Sequence, residues 1–142
     1  MRALLDVNVL IALLDSDHVH HARAMVWLDR NIGGGWASCP LTQNGCIRIL
    51  SQPAYPNALP AAAVATRLGE AASTPHHEFW PDEISLLDGQ RISWTKVLGS
   101  RQVTDIYLLA LAVQRNGRLV TLDRAISPAA VRGATDEHIV AI

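Results

Sequence analysis

The chain has 142 residues, 49% apolar and 18% charged, which suits one folded domain with a real core and excludes a disordered chain. A net charge of −1 excludes a protein that grips nucleic acid by bulk charge, but not local phosphate chemistry at an acidic site with a basic rim. No apolar run approaches the roughly 18 residues a membrane span needs, and Asp6 breaks the first apolar stretch too early for a signal peptide, so no membrane contact and a cytoplasmic location are expected.

Ala3-Leu4-Leu5 reads as a buried strand that ends at Asp6, and Val7 to Leu14 continues as a helix. Asp17 is placed to cap a second helix, His18 to Asn31, with Ala22, Met25, Val26, Leu28 and Ile32 as its apolar stripe and Gly33-Gly34-Gly35 as its end. Trp36 to Cys39 is a second strand. Pro40 opens a helix from Leu41 to Ser51. Three prolines make 52–60 a loop, and Ala61 to Ala72 is a helix by propensity. Glu78-Phe79-Trp80 is a third strand, stopped by Pro81, and 89–100 is a connection. Thr104 reads as the N-cap of a strongly apolar helix from Asp105 to Arg115, which Asn116-Gly117 terminates. Arg118 to Leu122 is a fourth strand, ending at Asp123, and Glu137 to Ile142 is a fifth. Cys39 and Cys46 read as small buried thiols rather than a disulfide.

Strands alternating with helices predict an α/β fold, a mainly parallel sheet covered on both faces, within one domain spanning 1–142. Sites in such sheets gather at the carboxyl ends of the strands. Asp6 and Asp123 each follow an apolar strand directly and Asp105 opens a helix, so three acids distant in sequence can meet at one edge. Grouped carboxylates are costly unless a cation neutralises them, and oxygen ligands suit Mg²⁺ or Mn²⁺. No His/Cys spacing favours zinc. His18, His20 and His21 read as a solvated helix start. Arg48, Arg101 and Arg124 are phosphate candidates, against the alternative of a solvated surface. Trp94, in the connection before the helix, is a candidate substrate or partner contact.

The segments Leu4-Leu5-Asp6-Val7-Asn8-Val9-Leu10, Pro40-Leu41-Thr42-Gln43-Asn44-Gly45-Cys46-Ile47-Arg48, Thr104-Asp105-Ile106-Tyr107-Leu108-Leu109 and Leu119-Val120-Thr121-Leu122-Asp123 follow one another in an order that resembles the motifs of PIN-domain ribonucleases, and in particular the VapC-type toxins of toxin–antitoxin pairs. Glu137-His138-Ile139-Val140 resembles the last strand of that family. The resemblance implies a three-layer α/β/α fold and a Mg²⁺-dependent endoribonuclease that leaves 3′-hydroxyl and 5′-phosphate ends. It also implies a homodimer and a cognate antitoxin. It carries over Asp6 and Asp105 as principal metal ligands and Asp123 as a further, more hydrated acid. Asn8 and Thr121 would orient ligands or water, and Thr104 would cap its helix and contact metal-bound water or phosphate. Gln43 departs from the pattern, standing where a glutamate is common. It can offer a carbonyl oxygen or bond to water but brings no charge, so a second cation would bind weakly or not at all. Two other readings stand beside this one. One is a catalytically weakened binding or regulatory module marked by Gln43. The other is an aspartyl-phosphate phosphatase with Asp6 as nucleophile, which usually needs an acid where Asn8 stands and a lysine that only Lys96 could supply.

Overall fold

In the computed structural model, which describes residues 1–142, strand β1 (Ala3–Leu5) is buried along its length because helices cover both its faces. It pairs in parallel with β2 (Trp36–Ser38), Ala3 opposite Trp36, and with β4 (Arg118–Thr121), Leu5 opposite Val120. β3 (His77–Phe79) and β5 (Ile139–Ala141) add parallel edges, giving the order β3-β2-β1-β4-β5. The strand order reverses between β1 and β4, so a crevice opens beyond their carboxyl ends.

The pleat divides the core. Leu4, Ala37 and Leu119 pack on one face with α5 (Val103–Gln114), while Ala3, Leu5, Trp36 and Val120 pack on the other. That second face lies under α1 (Val7–Leu14), α2 (His21–Asn31), α3 (Pro40–Leu50) and α4 (Ala61–Ala71). In α5, seven consecutive residues from Ile106 to Ala112 are buried. Each of its leucines contributes about 1.5–3 kcal/mol through burial. Trp80, just past β3, is also buried, and its ring packs so close to Gly117 that a Cβ there would lie 2.6 Å from it. Cys39 and Cys46 are free and buried. No helix is long and apolar enough to cross a membrane.

Three expectations from the sequence need correction. The second helix starts at His21, and Asp17 does not cap it; the Asp17 N–H donates to Asp15 Oδ1 at 3.0 Å in a turn before the helix. The buried side of α2 is Ala24 with Trp27, Leu28 and Ile32, whereas Ala22, Met25 and Val26 are exposed. Small Ala24 lets α2 lie close to the core, and α2 carries apolar residues on its outer side as well, so hydrophobicity alone does not fix its phase. Finally, a 3₁₀ turn at Ser100–Gln102 leads into α5, which begins at Val103. Thr104 is therefore inside the helix, and Gln102 takes the cap position without a side-chain bond.

Candidate functional site

Asp6 ends β1 and caps α1. Its extended backbone lets Oδ1 accept from the Val7 N–H at 2.7 Å, and Thr121 Oγ1 donates to Oδ2 at 2.7 Å. The residue is only 5% exposed. Burial raises its pKa, opposed by those two bonds. Thr121, at the end of β4, is fully buried and joins the parts: its oxygen also accepts from the Asp123 N–H at 3.0 Å and from Asn8 Nδ2 at 3.4 Å. The Leu122 N–H donates to Asn8 Oδ1 at 3.2 Å. Asn8 and Thr121 thus lock the start of α1 to the end of β4.

Asp105 lies on the first turn of α5, where the helix dipole favours an anion. Desolvation outweighs the dipole. Burial first, and then the charges of Asp6 and Asp123, push its carboxyl up to about 7. Asp6, Asp105 and Asp123 therefore share one field. Asp123 Oδ1 accepts from the Ala125 N–H at 2.8 Å in a tight turn that leaves the carboxylate partly exposed. The donor set is oxygen throughout and carries uncompensated charge, which is the chemistry of a hard divalent cation site. It is not a ready-made chelate, since no three of these side chains close on a common point. Both Asp6 oxygens accept one hydrogen bond each and keep further lone pairs for a cation.

Gln43 makes no hydrogen bond with the acids. Its Nε2 donates to Ser38 Oγ at 3.0 Å, and Ser38 Oγ lies 2.8 Å from His77 Nε2. Burial lowers the His77 pKa. Neutral His77 can then accept from the Ser38 hydroxyl. The cause of Gln43's direction lies two residues on. Gly45 packs on α1 so closely that a Cβ there would sit 2.7 Å from Val7 Cγ2. Residues two apart on a helix point nearly opposite ways, so Gln43 turns from Val7 toward Ser38 of β2 and toward α4. It lines a shallow cavity there with Ile47, Leu68 and Ala72. Ser38 and His77, its partners, carry no sequence signal beyond the Gln43/Gly45 spacing.

Thr104, Arg48, Arg101 and Arg124 are exposed, and none of the three guanidinium groups is held in an ion pair. Arg101 and Arg124 flank Asp105 and Asp123 in the chain. Arg48 lies further along α3, beyond the turn that meets α1.

The PIN domain family model matches residues 3–131. Ribonuclease VapC44 of Mycobacterium tuberculosis is 51% identical over 142 residues, covering all of both chains. Ribonuclease VapC39 of the same organism is 43% identical over 138 residues, 96% of this chain and 99% of that one. Among solved structures, a crystal structure of VapBC2 from Rickettsia felis bound to a DNA fragment from their promoter aligns with a TM-score of 0.58 and 13% identity. That alignment covers 87% of this chain and 89% of the other, a likeness of fold.

Proposed function

The chain belongs to the PIN-domain family, and from that premise we propose that it is the endoribonuclease toxin of a toxin–antitoxin pair, dependent on Mg²⁺ with Mn²⁺ as a substitute. The observation that supports this reading is that Asp6 and Asp123, just past the ends of β1 and β4, lie within electrostatic reach of Asp105, whose carboxyl is pushed up to about 7 by burial and then by those two charges. Excess negative charge of this kind is what a divalent cation relieves. Full-length likeness to proteins named ribonucleases supports RNA as the substrate.

Asp6, Asp105 and Asp123 would hold the ion. When bound, it supplies a lowered pKa for an attacking water and stabilisation of charge on a phosphodiester. The chain's own groups do the rest. Thr121 holds Asp6 by donating to it, and Asn8 fixes the end of β4 that carries Asp123. Exposed Arg101 and Arg124 are free to make paired contacts with phosphate oxygens beside the acids. Cleavage would leave a 3′-hydroxyl and a 5′-phosphate. An antitoxin and a second copy of the chain are the expected partners, and the outward-facing Met25 and Val26 of α2 support a protein contact there.

The test is incubation of purified protein with labelled RNA in Mg²⁺ and in chelator. Mg²⁺-dependent fragments that disappear in Asp6→Ala are expected. No cleavage in Mg²⁺ or Mn²⁺, with Asp6→Ala indistinguishable from wild type in cells, would overturn the reading.

A further inference from the structure

A second cavity, of about 350 Å³, opens where α5 begins, between Leu41 of α3 and the segment after β3. Leu41, Ile84 and Leu86 supply apolar walls, and Asp82 and Tyr107 supply the polar atoms. Thr104 lines it too and is the chain neighbour of Asp105, so the cavity and the acidic site share the first turn of α5.

Two features mark it as a binding site. Tyr107 is 6% exposed, and its buried hydroxyl makes no hydrogen bond of ordinary geometry, with the Asp82 carboxylate and the Ile84 backbone as its polar neighbours. A hydroxyl and a carboxylate therefore stand side by side in an otherwise apolar cleft, the arrangement that fixes a polar ligand. Asp82 is the second feature. It is exposed and makes no ion pair, although the nearby acids are paired: Glu83 with Arg115 at 2.6 Å, Glu78 with Arg2 at 3.3 Å and Asp88 with Arg91 at 3.2 Å. The wall itself is pinned, because Trp94 Nε1 donates to the Leu86 carbonyl at 2.8 Å.

A lone carboxylate on an apolar cleft repels phosphate and attracts a flat group that donates hydrogen bonds. Among the four RNA bases only guanine offers two adjacent N–H donors on one edge, N1–H and N2–H, which a single carboxylate accepts together. From this chemistry we infer that the cavity is a guanine subsite, holding a base of the RNA next to the phosphate presented to Asp6, Asp105 and Asp123. Leu41, Ile84 and Leu86 cover the faces of the base, Asp82 takes its two donors, and the Tyr107 hydroxyl steadies the carboxylate or the base from beneath. The subsite rests on the endoribonuclease reading for its place in a reaction, but its ligand preference is measurable without cleavage.

The experiment is titration of the full chain, in chelator, with guanosine 5′-monophosphate and with uridine 5′-monophosphate, followed by the methyl resonances of leucine and isoleucine. The guanine nucleotide should bind about tenfold more tightly, the scale of one good paired contact. Asp82→Asn should abolish the difference, since its amide nitrogen meets a second donor. Tyr107→Phe, which deletes only a hydroxyl and keeps the ring that packs in the core, should reduce it. Equal binding of the two nucleotides, or a preference unchanged in Asp82→Asn, overturns the inference and leaves the cavity to a donor group of a protein partner, such as an arginine. Cut sites are then mapped in RNA, where wild type should favour a guanine beside the break and Asp82→Asn should not. Selective guanine binding without RNA cleavage would sink the endoribonuclease reading while keeping the subsite.

Discussion

Replacing Asp105 by asparagine probes the charge balance on which the site depends. The side chain keeps its shape and loses one charge, and no hydrogen bond holds the carboxyl down. In the metal-free protein that carboxyl is pushed from 3.8 up to about 7, by burial and then by Asp6 and Asp123. Between those two values the unfolded chain has released a proton that the folded state keeps. Stability from this group therefore falls as pH rises through that window and is level above it. At 1.36 kcal/mol per pH unit the full effect is at most about 4 kcal/mol. Solvent screening of a carboxyl that is not fully buried reduces the expected loss to about 2 kcal/mol. Urea unfolding in chelator, at about pH 4 and about pH 8, measures it. Asp105→Asn should match wild type at the acid end and be more stable by about 2 kcal/mol at the alkaline end. The comparison between the two proteins cancels other groups, including His77, whose lowered pKa makes stability fall toward acid pH. Saturating Mg²⁺ should bring wild type up to or past the variant at alkaline pH. A variant no more stable than wild type at alkaline pH would show that the three acids do not share a field, and the account of the site would fail.

Thr121→Val removes the hydroxyl that serves Asp6, Asn8 and the Asp123 N–H, so about 3 kcal/mol of stability should be lost in urea unfolding. A loss under about 1 kcal/mol would contradict its joining role. Gln43→Glu should leave Mg²⁺ affinity within about twofold of wild type, because the side chain is engaged by Ser38. A tenfold gain in a calorimetric titration would put that residue back among the ligands. Arg124→Ala should weaken RNA binding evenly across sequences and reduce the slope of log affinity against log salt by about one. An unchanged slope would remove Arg124 from the phosphate contacts.

The parts of the fold that sequence made legible are those where local chemistry and tertiary position agree. β1 and β4 are short apolar runs that stop at Asp6 and Asp123, and burial on both faces makes such runs conspicuous. Asp105 at the head of a seven-residue buried stretch was equally readable. What sequence hid depends on rotation and docking. The side of α2 that meets the core follows from how closely Ala24 can approach it, although Ala22 is the same residue type. The direction of Gln43 is set by Gly45 against Val7, a contact between two helices that no motif records. Thr104 does not cap because the chain enters α5 through a 3₁₀ turn, two residues earlier than the capping pattern suggests. Asp82 and Tyr107, far apart in sequence, become neighbours only when the segment after β3 folds over α5.

The central claim is that Asp6, Asp105 and Asp123 together hydrolyse RNA. Mapping RNA ends in cells after induced expression tests it most directly, with Asp6→Ala as the control. The account predicts new 5′-phosphate ends at discrete positions with wild type and none with the variant. Identical end maps from the two proteins would contradict it.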